Sequence, residues 1–223
     1  MSNSEIKILP PNRLDVIEGR SLIIKPISVE EVSERYVNWL NDPQVNQFLE
    51  VRHHKQNIVS VINYINFLRS KKGCELFAIF TKKEHLHIGN IAITDYNPNN
   101  QRYAVFGMII GDIKAQELGL GGQAMALLID YLFIDPLIIK IKCGVIAENE
   151  KSWKTIEAIG FKRESVLRQR SVLASGKITD VYPYGLLREE WYEKRKIYTL
   201  ILKDLKISSR KTVNSPHKRI DKK

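Results

Sequence analysis

The chain has 223 residues, 43% of them apolar and 27% charged, with a formal net charge of +10. That length suits one domain, alone or with an appendage, and is enough to bury a core without staples. Two cysteines exclude a disulfide scaffold, and the composition excludes collagen-like, coiled-coil and wholly disordered chains.

Nothing in the spacing pairs Cys74 with Cys143, so a reducing, cytoplasmic compartment is expected. The opening MSNSEIKILPPNRLD lacks the apolar run of a signal peptide. The greasiest stretch, Ala126 to Ile139, is interrupted by Asp130, Asp135 and Pro136, so no membrane span is expected. The positive charge sits at one end. From Lys194 to Lys223 there are eight Lys and three Arg against two Asp, a balance of +9, which leaves +1 for residues 1–193. The body is nearly neutral, and no nucleic-acid partner is expected for it.

In chain order, Ser21–Ile27 is read as a strand. Ser28-Val29-Glu30-Glu31 has the capping-box pattern and opens a helix to about Leu40, stopped at Asn41-Asp42-Pro43. Ile58, Ile62, Ile65 and Leu68 predict a helix over about 56–69. Strands follow at Leu76–Phe80, Ile88–Thr94 and Tyr103–Ile110. Gly119 opens an apolar helix to about Ile134, and Ile138–Ile146 is the next strand. Asn149 caps a short helix ending at Gly160, and strands near 161–172 and 177–187 follow. The order predicts a mixed α/β (α+β) fold around one sheet, not a doubly wound parallel fold. Glu189–Lys206 would extend as a helix with Ile197, Ile201 and Leu205 on one face. Residues 207–223 lack periodicity and read as a disordered, basic end. Such an end is usually a solvated terminus; contact with a membrane surface or RNA is the minority reading.

The stretch from Gly107 to Phe133 carries the chemistry. A strand enters a glycine-rich turn that opens a helix, where unpaired N–H groups and the positive end of the helix dipole make an anion site suited to a pyrophosphate. It is not a P-loop, since no Gly-Lys-Ser/Thr follows, and not a Rossmann fingerprint.

Here the sequence resembles a family. Gln116-Glu117-Leu118-Gly119-Leu120-Gly121 is similar to the Q/R-x-x-G-x-G/A acetyl-CoA signature of GNAT N-acetyltransferases. Asn149-Glu150-Lys151-Ser152, with Ile159-Gly160-Phe161 after it, resembles the N-x-x-S helix of the RimJ/RimL-like branch. Trp39 to Val45 resembles its W-x-x-D-P-x-V element, and Gly185 to Trp191 its ending. The resemblance runs over about residues 20–191, between an N-terminal extension (1–19) and a basic C-terminal extension (192–223).

The resemblance implies a central, mostly antiparallel mixed sheet with helices on both faces. Strands Tyr103–Ile110 and Ile138–Ile146 would splay to admit the pantetheine arm of acetyl-CoA. It implies cofactor contacts at Ile109, Ile110, Gln116, Glu117, Leu118, Gly119, Leu120, Gly121, Gly122, Asn149 and Ser152. Transfer would be direct, so neither cysteine is needed as a nucleophile. The Tyr many members use to protonate the leaving thiolate is matched by Ile156, and Ser152 is the implied hydrogen-bond donor to the sulfur. Glu148 is the candidate base. Glu50, Arg52 and Tyr96 are candidate acceptor-binding residues, Arg52 as an anion holder. No metal is expected, because no His or Cys spacing suits one. The expected acceptor is a small-molecule amine, foremost the amino group of a nucleotide-linked amino sugar. A protein N-terminus and non-catalytic acyl-CoA binding are the alternatives. Both a monomer and a homodimer are compatible with the sequence.

Overall fold

A computed structural model describes residues 15–199 and 206–209. The elements are β1 (Asp15–Glu18), β2 (Leu22–Pro26), α1 (Glu34–Asn41), α2 (Pro43–Asn46), α3 (Ile58–Arg69), β3 (Glu75–Thr81), β4 (His87–Asn97) and β5 (Tyr103–Ile110). Then follow α4 (Ile113–Glu117), α5 (Leu120–Leu132), β6 (Lys140–Ile146), α6 (Glu150–Ile159), β7 (Lys162–Arg163), β8 (Leu167–Val172), β9 (Ile178–Leu187), α7 (Arg188–Lys194) and β10 (Lys206–Ser209).

One sheet runs β10-β1-β2-β3-β4-β5-β6-β9-β7, with β8 paired to β9 off that path. Every pairing is antiparallel except β5 with β6. That parallel pair holds register only from Tyr103 opposite Lys140 to Val105 opposite Lys142. Beyond it β5 stays on β4 while β6 stays on β9, so the sheet opens into a wedge.

Each face of the sheet has its own core. α5 is buried from Ala124 to Leu132, which its nearly all-apolar sequence allows, and it packs on one face with Phe77, Phe106, Phe161 and Trp191. On the other face Tyr36, Val37, Trp39 and Leu40 of α1 and Val61, Ile65 and Leu68 of α3 cover Leu76, Ala78 and Ala92. α1 lies close against the end of β5. A Cβ on Gly111 would fall 1.9 Å from the Trp39 ring, so only glycine fits there.

Several elements differ from their sequence reading. The helix expected from Ser28 to Leu40 is broken. The Glu31 carboxylate does accept from the Ser28 N–H at 3.0 Å, but this box closes only a 3-10 turn, Val29–Glu31. Val32 is extended, and Ser33 caps α1 by accepting from the Tyr36 N–H. α4 was not anticipated; five residues are too few for a periodic pattern. Of the helix expected over Glu189–Lys206, residues up to Lys194 belong to α7, Arg195–Tyr198 is a 3-10 turn, and residues 200–205 lie outside the described residues. Residues 207–209, read as the start of a disordered end, are strand and pair with β1. The remaining tail, from residue 210, lies outside the described residues, as do Ile201 and Leu205. No helix among the described residues is long and apolar enough to cross a membrane.

Candidate active site

The wedge between β5 and β6 opens into a cavity of about 390 Å3. Met108, Ile109 and Ile110 of β5 form one wall. Gly119, Gly121 and Gly122 at the start of α5, and Asn149, Lys151 and Ser152 at the start of α6, form a second side, and residues 44–49 of α2 and the segment after it close a third. Two helices of 13 and 10 residues thus bring their N-termini to one cavity. α5 leaves the N–H groups of its first turn unpaired there, whereas in α6 the Glu150 N–H donates to Glu148 O and the Ser152 N–H to Asn149; both dipoles favour an anion. Gly119 takes φ +68°, which lets the chain turn from α4 into α5, and no atom stands within 4 Å of where its Cβ would be. Asn149 Oδ1 caps α6 by accepting from the Ser152 N–H, and Ser152 Oγ has no hydrogen-bond partner among the described residues.

A second cavity of about 300 Å3 lies beneath α1 and α3, on the other side of β5. Tyr36, Leu40, Val61, Leu76 and Ala92 give it an apolar wall, with Glu50, Gln56, Ser60, Tyr64, Asn90 and Thr94 as its polar members. Leu49, Met108 and Ile109 line both cavities, so the two adjoin at the end of β5. Burial pushes the Tyr36 and Tyr64 phenols up, which keeps both protonated.

The anion cradle is displaced from the residues the motif suggested. α4 consumes part of it: Leu118 N–H donates to Lys114 O at 3.0 Å and Gly119 N–H to Gln116 O at 3.2 Å. Gln116 Nε2 donates to Ile110 O at 2.7 Å, so Gln116 braces the strand end and occupies a carbonyl expected to face pantetheine. Glu117, Leu118 and Leu120 are not in the cavity wall, and Leu118 is 71% exposed. The unpaired N–H groups begin at Leu120, in the first turn of α5. Sequence reading missed Lys151, Met108 and Thr155 in this wall.

Three other assignments change. Arg52, expected to hold an anion, spends its guanidinium on Leu49 O, Val172 O and Ser171 Oγ, clipping its loop to β8. Tyr96 is buried against α5 with its hydroxyl on Asp135, and lines neither cavity. Glu148 also lines neither; it pairs with Lys177 at 2.8 Å and accepts from Thr179 Oγ1. Lys177 first, then Thr179, hold the Glu148 carboxyl below its ordinary value, so it is already deprotonated near neutrality and a poor base. Its pairing stabilises above the unfolded-state pKa and is lost only as pH falls through the lower folded one. Glu148→Gln is therefore expected to leave the pH–rate profile unchanged between about pH 6 and 9. A lost alkaline plateau in that profile would restore Glu148 as the base. Glu50, by contrast, does line the second cavity.

Cys143 is buried and its thiol is pushed up to about 12 by desolvation; Cys74 is buried as well, and neither lines a cavity. Neither supplies a thiolate nucleophile. Among the described residues no cluster of three or more His, Cys, Asp or Glu could hold a metal ion.

A sheet opened at one parallel pair, two helix N-termini at the opening and a second cavity behind it form the frame of an acetyl-CoA-dependent acetyltransferase. A family model described as an acetyltransferase (GNAT) domain matches residues 21–162, and the chain belongs to that family. It is 25% identical over 180 residues to the uncharacterized N-acetyltransferase p20 of Bacillus licheniformis, covering 80% of this chain and 99% of that protein. The fold is similar to that of spermidine N-acetyltransferase from Vibrio cholerae in complex with CoA and spermine. There the TM-score is 0.69 at 19% identity, over 77% of this chain and 98% of that one. It is also similar to Mycobacterium smegmatis RimJ in complex with CoA-disulfide, with TM-score 0.67 at 16% identity, over 81% and 89% of the two chains. The protein is thus an N-acetyltransferase that uses acetyl-CoA.

Proposed function

We propose that acetyl-CoA occupies the wedge cavity and that a small-molecule primary amine enters from the cavity beneath α1 and α3. The observation that carries this reading is the shared wall: Leu49, Met108 and Ile109 belong to both cavities. An amine and a thioester brought to either side of one strand end need no carrier on the protein. The amine nitrogen attacks the thioester carbon, the C–S bond breaks, the thiolate leaves, and the proton that the nitrogen gives up ends on that sulfur as CoA thiol. The burial of both cysteines, with the Cys143 thiol held protonated, is consistent with direct transfer.

Ser152 Oγ, which has no hydrogen-bond partner among the described residues and lies in the wall, serves as the hydrogen-bond donor to the departing sulfur. Ser152→Ala is expected to lower kcat about 10- to 100-fold with little change in the KM for acetyl-CoA, as measured by release of CoA thiol. An unchanged kcat would remove Ser152 from the chemistry.

The acceptor is the finer question. A nucleotide-linked amino sugar needs cations for its diphosphate. Arg52 is already engaged, and no Lys or Arg is among the described residues lining the second cavity, so the structure lends that acceptor no support. The RimJ/RimL-like motifs at Asn149–Ser152 keep a protein N-terminus in play as the second reading. Two buried cysteines outside any disulfide favour a cytoplasmic site of action. The test is CoA-thiol release from acetyl-CoA against amino-sugar nucleotides, N-terminal peptides, polyamines and simple amines. Turnover with any amine sustains acetyl transfer. Tight acetyl-CoA binding with no turnover on any of them would favour a binding-only protein.

A further inference from the structure

Asn90 is 1% exposed and stands on β4 among apolar neighbours. Its Nδ2 donates to Phe77 O at 3.3 Å, while its Oδ1 has no hydrogen bond. The His87 ring on the same strand lies near enough to the Asn90 side chain for that amide to favour the charged imidazole, but His87 Nε2 is hydrogen-bonded to Gly89 O and no bond of normal geometry reaches Asn90 Oδ1. The amide cannot be turned to improve this, because Oδ1 would then face the Phe77 carbonyl, acceptor to acceptor. A buried, unpaired carbonyl oxygen is costly and uncommon in a folded protein.

The position explains what that oxygen is for. Asn90 lines the second cavity, and in the β4–β5 ladder it lies directly opposite Ile109, which lines both cavities. The orphan oxygen is thus beside that junction but covered, so an entering N–H reaches it only as a side chain of the cavity wall gives way. The remaining polar groups are few, and some are spent internally: Ser60 Oγ is bonded to Gln56 Oε1 and Asn57 O. Among the described lining residues Glu50 is the single carboxylate and there is no cationic side chain. A polycation would lack counter-charges, and a diphosphate would lack cations. At about 300 Å3 the cavity is at the small end of ligand pockets.

We infer that the acceptor is a compact primary amine on a mainly hydrocarbon or aromatic body, and that Asn90 Oδ1 receives one of its N–H groups. This rests on the reading of the two cavities as donor and acceptor sites. The nitrogen keeps its lone pair for the thioester carbon while one of its hydrogens is held by Asn90. The apolar wall favours the neutral amine over the ammonium, which is the form that attacks.

The experiment uses the full chain and measures kcat/KM for 2-phenylethylamine, hexylamine, spermidine, an N-terminal peptide and a nucleotide-linked amino sugar. At least one of the first two is expected to exceed the other three by about 100-fold or more. Asn90→Leu keeps the shape and removes the orphan, so its thermal midpoint should stay level or rise, while kcat/KM for the best amine falls about 10- to 100-fold. Its KM for acetyl-CoA should not move. Asn90→Ser, which retains a hydroxyl, guards against a misfolded Leu variant and should recover part of the loss. Preference for spermidine, the peptide or the nucleotide sugar overturns the acceptor class while leaving acetyl transfer standing. Full activity in a folded Asn90→Leu variant overturns the role of Asn90. Silence with every amine overturns both this inference and acetyl transfer itself.

Discussion

Replacing Gly122 with Asp is expected to weaken acetyl-CoA binding by about 100-fold without loosening the fold. A Cβ on Gly122 would meet only Thr155 Cγ2 at 3.8 Å, an ordinary contact, so the side chain itself fits. Within a helix, Gly is a poor former, and an acidic residue in the first turn is favoured by the dipole. The substitution should therefore hold or raise the thermal midpoint. The same carboxylate would stand in the wall of the wedge cavity, beside the pyrophosphate of acetyl-CoA bound as proposed. Facing two phosphate charges at a separation of about 6 Å, with an effective dielectric of about 40, it costs about 3 kcal/mol, or about 100-fold in affinity. Gly122→Ala is the uncharged control and should bind nearly as the parent does. Titration calorimetry with acetyl-CoA on all three proteins reads the difference. Equal affinity in the Asp variant would move the phosphates away from α5.

Truncation of Trp191 to Ala should produce the largest loss of stability. Trp191 is fully buried, stacks on Tyr198 with ring centroids 5.5 Å apart, and donates from Nε1 to Asp130 Oδ1 at 3.0 Å. Asp130, in the middle of α5, also takes a two-bond grip from Arg195 at 2.6 and 2.9 Å. The indole thus ties α5 to the segment after β9. Removing such a side chain costs about 3–5 kcal/mol, which in a chain of this size lowers the thermal midpoint by roughly 10–15 °C. Trp191→Phe keeps the ring and drops only the N–H, at about 1–2 kcal/mol. The same contacts imply that a chain cut just after Trp191 would lose Arg195 and Tyr198 and melt earlier than the full chain. A cut protein as stable as the full chain would show those contacts to be idle.

The glycine-rich turn was legible because its signal is local: a strand, then glycines, then an apolar run, each within a few residues of the next. Asn149 and Ser152 were legible for the same reason, as a cap and the position it caps. What escaped depends on distance along the chain. Arg52 resembles a free anion holder until the fold brings Val172 to it from 120 positions away. Asn90 carried one faint mark, a polar residue among Ile88, Ile91 and Ala92, and only the register with Ile109 gives it a place at the junction. β1 and β10 pair across nearly the whole chain, so neither segment announces the other. The break at Val32 lay within a stretch whose two caps, Ser28 and Ser33, could be read as one helix start and one passenger.

In the proposed reaction donor and acceptor meet across Leu49, Met108 and Ile109 with no covalent stop on the protein. Initial velocities measured while acetyl-CoA and the best amine are varied against each other test it most directly. Direct transfer within one ternary complex predicts reciprocal plots that intersect. Parallel lines, the mark of an acetylated enzyme, would contradict the account and demand a nucleophile in one of these two cavities.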